Sequence, residues 1–226
     1  VDPATFFEND LNGYIEIGIN RFSLGGQAFN DITLASIGRK HNCSQLIEAC
    51  NWVNYFFKNG MLRSWSLDLI QNLPGLNLCK WLKELEQAVN TQAPHLSIYD
   101  LTIEPDTVFG RMHQKGKLNI PIESIAQKID LETNKYLKSR GFSRYEISSF
   151  SLPGHASRHN RMYWSGSGWW GFGMGATSAP WGQRFSRPRT IAGYQKWVRQ
   201  QEIHQLEKTL FVEEARQMPL DELLMI

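Results

Sequence analysis

The chain has 226 residues, 42% of them hydrophobic and 20% charged, which is enough apolar mass for a core and outside the composition of a disordered chain. Its 24 Lys and Arg stand against 22 Asp and Glu, a net charge of +2 with the cations scattered, so a dedicated nucleic-acid surface is not expected. The longest apolar runs, such as residues 169–174, are far shorter than the roughly 20 residues of a membrane span, so neither a span nor a lipid anchor is expected.

Taken in chain order, short β-forming segments alternate with helical patterns. Arg21 to Leu24 reads as a strand. From Ser44 to Asn59 the residues Leu46, Ile47, Cys50, Val53, Phe56 and Phe57 recur at three-to-four spacing; Ser44 is the expected N-cap and Gly60 the left-handed residue after the end. Arg63 to Ile70 is a second strand. Leu78 to Asn90 is a second helix, with Leu78, Trp81, Leu82, Leu85, Ala88 and Val89 facing inward. His95 to Ile103 is a third strand. A helix from Ile122 to Arg140 follows, carrying Ile125, Ile129, Tyr136 and Leu137 on one face with Gly141 after it, and then a strand from Arg144 to Phe150.

This rhythm of strand and helix is that of βαβ units and predicts an α/β fold with a parallel sheet, three or four units being too few for a closed eight-stranded barrel. Residues 153–189 read as a long loop rich in Gly, Trp and Ser. A helix from Thr190 to Gln217 follows, with Tyr194, Trp197, Val198, Leu206 and Leu210 as core candidates. The expected division is 1–121 and 122–226. The sequence lacks an initiator Met and a signal peptide and stops in what reads as the opening of a helix, so a piece of a longer protein is expected, with an open sheet edge that lowers its solubility.

Cys43, Cys50 and Cys79 are odd in number and widely spaced, which argues against a disulfide framework and fits a reducing compartment. Cys50 and Cys79 are expected to be small buried hydrophobes.

Ligands of parallel α/β folds bind at the carboxyl ends of the strands. Three polar segments qualify: Leu24 to Asp31, which contains Gly25, Gly26 and Gln27; Ser66 to Gly75, which contains Asp68; and Ser97 to Pro105. A solvated turn is the competing reading of each one taken alone. A fourth group is His159-Asn160-Arg161-Met162-Tyr163-Trp164, followed by the glycine-rich run Gly171 to Ser178. His159 beside aromatics has the chemistry to ligate a haem iron or to move a proton, against the plainer role of a hydrogen-bonded structural residue. The histidines His41, His95, His113, His155 and His204 show no ligand spacing and read as structural.

In order, residues 23–31, 38–41, Asp68-Leu69-Ile70, Leu73-Pro74-Gly75 and 95–105 resemble the radical S-adenosylmethionine family of oxygen-independent coproporphyrinogen III oxidase-like proteins. Tyr145 to Ser148, Pro153-Gly154, Arg158-His159-Asn160 and Tyr163-Trp164 look like the branch called haem chaperones. The resemblance implies a cytoplasmic protein with the later strands of an incomplete (β/α)6 barrel in residues 1–121, followed by a mixed, helix-rich C-terminal region. It implies S-adenosylmethionine and a 4Fe–4S cluster held by a Cys-x3-Cys-x2-Cys motif. That motif is absent from this sequence, so the chain alone is not expected to hold the cluster or cleave S-adenosylmethionine.

By the same resemblance the S-adenosylmethionine contacts are Gln27, Arg39, Asp68 and Thr102, with Thr177 a further match, and His159 is the haem-iron ligand with Tyr163 and Trp164 against the macrocycle. The implied function is haem binding and delivery to a respiratory protein. The alternatives are an oxidase that decarboxylates coproporphyrinogen III and an inactive truncated copy. Four positions depart from the family pattern: Gly26 in place of Val, Asn72 in place of Gly, Leu76 in place of Gln and Ser149 in place of Asn. Gly26 is expected to leave a strand end less packed and Asn72 to strain a turn built for glycine.

Overall fold

The computed structural model describes residues 1–105, 107–180, 183–206 and 216–217. It divides into two compact units, residues 1–156 and 157–226.

The first unit is an α/β layer structure. Helix α1 (Glu8–Glu16) precedes strand β1 (Arg21–Gln27); α2 (Asp31–Ser36) and α3 (Cys43–Lys58) lead to β2 (Ser64–Gln71); α4 (Leu78–Asn90) leads to β3 (His95–Asp100). Then come α5 (Val108–Gln114), α6 (Glu123–Ser139), β4 (Ser143–Arg144) and β5 (Ser149–Ser151). The sheet order is β1-β2-β3-β5-β4. β1, β2 and β3 are parallel, in the register Leu24 to Leu67 and Leu67 to Leu96, and β5 runs antiparallel to β3. The segment 144–150, expected as one further strand of a parallel sheet, is instead the arms of an antiparallel hairpin. Residues 145–148 turn the chain between β4 and β5, and the two arms of a hairpin can pair only in the antiparallel sense.

Several local expectations hold. Helix α4 has the expected bounds, and Gly60 and Gly141 take φ of +73° and +86° just beyond α3 and α6. Others are corrected. The N-cap of α3 is Asn42, not Ser44: its side chain accepts from the Gln45 amide while Gln45 reaches back, a capping box that starts the helix two residues earlier than a cap at Ser44 would. Ile47 and Ile125 are exposed; each lies at the margin of its helix's apolar stripe. Cys79 is exposed as well, because the buried stripe of α4 runs through Trp81, Leu85 and Ala88.

Leu46, Val53, Trp65, Leu67, Trp81, Leu85, Leu96 and Phe150 are almost wholly removed from water and form one cluster between the sheet and its helices. A Cβ on Gly26 would come within 2.8 Å of Leu67 Cδ1 and 3.0 Å of Leu46 Cδ1. The strand end is therefore closely packed by its neighbours, which corrects the expectation of loose packing there. Asn72 does adopt φ of +60°, the left-handed conformation that Asn tolerates better than most residues, and its side chain donates to Asp100.

The second unit contains α7 (Arg158–Trp164), β6 (Thr177–Ser178), β7 (Gln183–Ser186), α8 (Ile191–Leu206) and β8 (Arg216–Gln217). Residues 153–189 are thus not one irregular loop: Ser157 caps α7 by accepting from the Asn160 amide, and β6-β7-β8 form an antiparallel sheet. Residues 216–217 are strand where a continuous helix was expected, and 207–215 lie outside the described residues. Tyr194, Trp197 and Val198 are half-buried, the two rings stacked at 6.0 Å. Leu206 and Leu210 lie outside the described side chains. No described helix is long and apolar enough to cross a membrane.

Candidate functional site

In the first unit the polar residues of successive strands share one face of the sheet because side chains alternate along a strand. Ser23, Ser66 and Asp68 meet there. Ser23 Oγ donates to the Asp68 carboxylate at 2.8 and 2.9 Å, and Ser66 Oγ donates to it at 3.2 Å. Ser66 Oγ is also 2.7 Å from His95 Nδ1, and His95 Nε2 is 2.7 Å from Tyr145 Oη. Burial, with Arg21 and His155 nearby, pushes the His95 imidazolium pKa down to about 3, so at neutral pH His95 carries a single N–H. As Ser66 donates to the carboxylate, the tautomer that satisfies the chain has Nδ1–H donating to Ser66 and Nε2 accepting from Tyr145. The result is one ordered path, Tyr145 to His95 to Ser66 to Asp68.

At the carboxyl ends of β2 and β3 lies a cavity of about 460 Å³, lined among others by Ile37, Arg39, Ile70, Leu101, Thr102 and Phe109. Gly38, at φ +74° after α2, turns the chain so that Arg39 reaches it. Arg39 Nη1 lies 3.3 Å from Asp2 Oδ2. Burial works against the Asp2 carboxylate's charge, but the Ala4 amide, His41 and Arg39 outweigh it and hold its pKa below the ordinary value. Gln27 ends β1 beyond a register shift, buried and at φ of +67°. A non-glycine residue held there stores strain of a kind that gathers at ligand sites. His41, buried, places Nε2 3.2 Å from the Gly26 carbonyl and so ties down this strand end.

In the second unit His159 stands exposed on the first turn of α7. Its Nε2 is 2.6 Å from Tyr163 Oη one turn on, and the Tyr163 ring meets Trp169 edge-on at 4.6 Å. Trp170, Phe172, Met174 and Met162 are large apolar side chains left in water nearby in sequence, Phe172 at 86% exposure. Thr177 Oγ1 is 2.7 Å from Ser186 Oγ, across the β6–β7 pair.

No family model matches the chain. It is 42% identical to the heme chaperone HemW of Synechocystis sp. over 198 residues, which cover 88% of this chain and 47% of that protein. It is 34% identical to HemW of Haemophilus influenzae, again over 198 residues, 85% of this chain and 50% of that one. The fold matches the Escherichia coli coproporphyrinogen III oxidase HemN, described as a radical SAM enzyme, with a TM-score of 0.71 at 18% identity over 98% of this chain and 51% of that structure. The chain belongs to the HemW-like branch of the radical S-adenosylmethionine family. It spans about half the length of the curated relatives it matches.

Of the residues that the family pattern points to, the structure brings Arg39 and Thr102 to one cavity and sets Gln27 and Asp68 on neighbouring strands; Thr177 and His159 belong to the second unit. The cysteines do not suit an iron–sulfur cluster. Cys43 and Cys50 are seven residues apart on α3, Cys79 is on α4, and burial raises the Cys50 thiol to about 12, far from the thiolate that ligates iron. Among the described residues no three His, Cys, Asp or Glu side chains are grouped to hold a metal. Ser23, Ser66, His95 and Tyr145 were missed as partners of Asp68. The signal was present as polar residues at every second position, Ser64, Ser66 and Asp68 on β2 and His95 and Ser97 on β3.

Proposed function

We propose that this chain is the haem-handling part of a HemW-like chaperone, binding haem through His159 in the second unit and S-adenosylmethionine through Gln27, Arg39, Asp68 and Thr102, with Thr177 as a further contact. The observation that carries the haem reading is the ladder of exposed His159 and Tyr163 on half-buried Trp169, in a stretch where Trp170, Phe172 and Met174 face water. A soluble surface rarely leaves such apolar area uncovered unless something binds there. Haem supplies an iron for an imidazole nitrogen and a flat apolar face for aromatic rings. His159 Nε2 is engaged by Tyr163 Oη at 2.6 Å, so iron takes that nitrogen by exchange with the hydroxyl.

For S-adenosylmethionine the cavity offers Arg39 to a carboxylate, Thr102 to a hydroxyl or amine, and the apolar walls of Ile70, Leu101 and Phe109 to a base. Asp68 receives three hydrogen bonds from serines, which leaves its carboxylate room for another donor from a ligand. In the family, S-adenosylmethionine on a 4Fe–4S cluster supplies radical chemistry; the cysteines of this chain hold no such cluster, and its residues bind and orient. In this reading residues 1–121 are the later part of the barrel, the setting is the cytoplasm, and haem passes to a respiratory acceptor protein.

The test is a haem titration followed by the Soret band, on the wild type and on His159→Ala after circular dichroism shows both folded. Stoichiometric binding, weakened by about tenfold or more in the variant, is expected. Equal binding by the two contradicts the assignment.

A further inference from the structure

The second unit's sheet has two faces of different character. Phe185 in β7 and Arg187 just beyond it point to one side: the Arg187 guanidinium lies 5.7 Å from the Phe185 ring and 5.0 Å from the Trp197 ring, and its Nη1 donates to Ser178 Oγ at 2.7 Å. Arg187 is therefore buried and engaged on the side where α8 packs. By alternation along the strand, Arg184 belongs to the opposite side. Thr177 pairs with Ser186 and Ser178 with Phe185, and continuing that register sets Arg184 opposite Ala179. Ala179 in turn bridges to Trp169. Trp169, Ala179 and Arg184 thus form one row across three strands, with the Trp169 and Arg184 backbones two strand spacings, about 10 Å, apart. Tyr163 packs on Trp169 and holds His159, so the aromatic ladder and Arg184 share this face.

The surrounding charge has one sign. Between residues 157 and 201 there are seven Lys or Arg and no Asp or Glu. Such a surface favours an anion. Burial raises the Tyr163 hydroxyl pKa and the charge of Arg184 partly offsets that, which agrees with Arg184 lying near the ladder.

We propose that Arg184 is a propionate-binding residue: it forks onto a carboxylate at the edge of the tetrapyrrole whose iron His159 takes, so that this site selects porphyrins carrying free carboxylates. Guanidinium and carboxylate match in geometry, and the pair forms where the macrocycle excludes water. The inference rests on the haem reading given above.

Titration of the wild type, Arg184→Gln and Arg184→Lys with haem and with haem dimethyl ester, followed by the Soret band, tests it. The wild type is expected to bind haem about tenfold more tightly than the ester. Arg184→Gln lowers haem affinity to the ester's level and leaves ester binding unchanged. Arg184→Lys keeps part of the preference through its point charge, and it decides the matter should Arg184→Gln fail to fold. The proposal is overturned if the wild type binds haem and ester equally, or if a folded Arg184 variant binds haem with the full preference intact. A folded wild type that binds neither overturns the haem reading itself, and this proposal with it.

Discussion

The same residue types are used in opposite ways in the two units. In the first, Ser23, Ser66, Asp68, His95 and Tyr145 satisfy one another along the sheet face, and aromatic residues such as Trp65, Trp81 and Phe150 are buried. In the second, His159 and Tyr163 form a similar hydrogen-bonded pair but stand on the surface, among aromatics that include the largely exposed Phe172. A His–Tyr pair is thus closed off by its neighbours in the first unit and left open to solvent in the second, where the proposed haem site lies. Burial, not residue identity, separates the two pairs.

That contrast is sharpest for Phe150 and Phe172, 2% and 86% exposed. Phe150→Ala is expected to cost about 3–5 kcal/mol in denaturant unfolding, because it leaves a cavity beneath the sheet; a loss below about 1 kcal/mol would mean that the first unit's core is not closed as described. Gly26→Val, which restores the residue usual in the family, is expected to destabilise by about 1–3 kcal/mol, since the added carbons press on Leu67 and Leu46, both wholly buried. Unchanged stability would show that the two leucines move aside.

His95 sharpens the comparison through pH. Its folded pKa of about 3 lies below the ordinary value of 6.5, so between these values the unfolded chain binds the extra proton and stability falls as pH falls. The slope contributed by His95 approaches about 1.4 kcal/mol per pH unit. His155 is also shifted downward by burial, with Arg21 adding to the effect, and it acts in the same direction. Chemical unfolding from pH 7 to pH 4 should therefore weaken the wild type more steeply than a folded His95→Gln, and parallel profiles would remove His95 from the account. Last and smallest, Phe172→Ala should leave the unfolding midpoint within about 0.5 kcal/mol while lowering haem affinity. A large loss of stability would place Phe172 in a packed interior.

Much of the first unit was legible in the sequence because its helices follow an uninterrupted three-to-four spacing and end at glycines that take positive φ, as at Gly60 and Gly141. What was not legible lay where partners distant in sequence decide the outcome. Residues 144–150 fold into a hairpin because β5 pairs with β3 some fifty residues away, and nothing local marks that. The strands β6 and β7 are short, set among Gly, Ser and Trp, and gain their order from each other. Cys79 sits two positions before Trp81, where the buried stripe of α4 begins, and spacing alone does not show which margin of a stripe meets the core. At the candidate site, motif resemblance pointed to Asp68 and His159, whereas Ser66 and His95 became visible only when strand register set them beside Asp68, and Arg184 only when it set that residue in one row with Trp169.

The most direct measurement is a Soret titration of the folded wild type, His159→Ala and His95→Gln side by side. The account predicts that His159→Ala loses about tenfold or more in haem affinity and that His95→Gln, altered in the closed network of the first unit, binds as the wild type does. Loss of binding in His95→Gln with His159→Ala unaffected would contradict it.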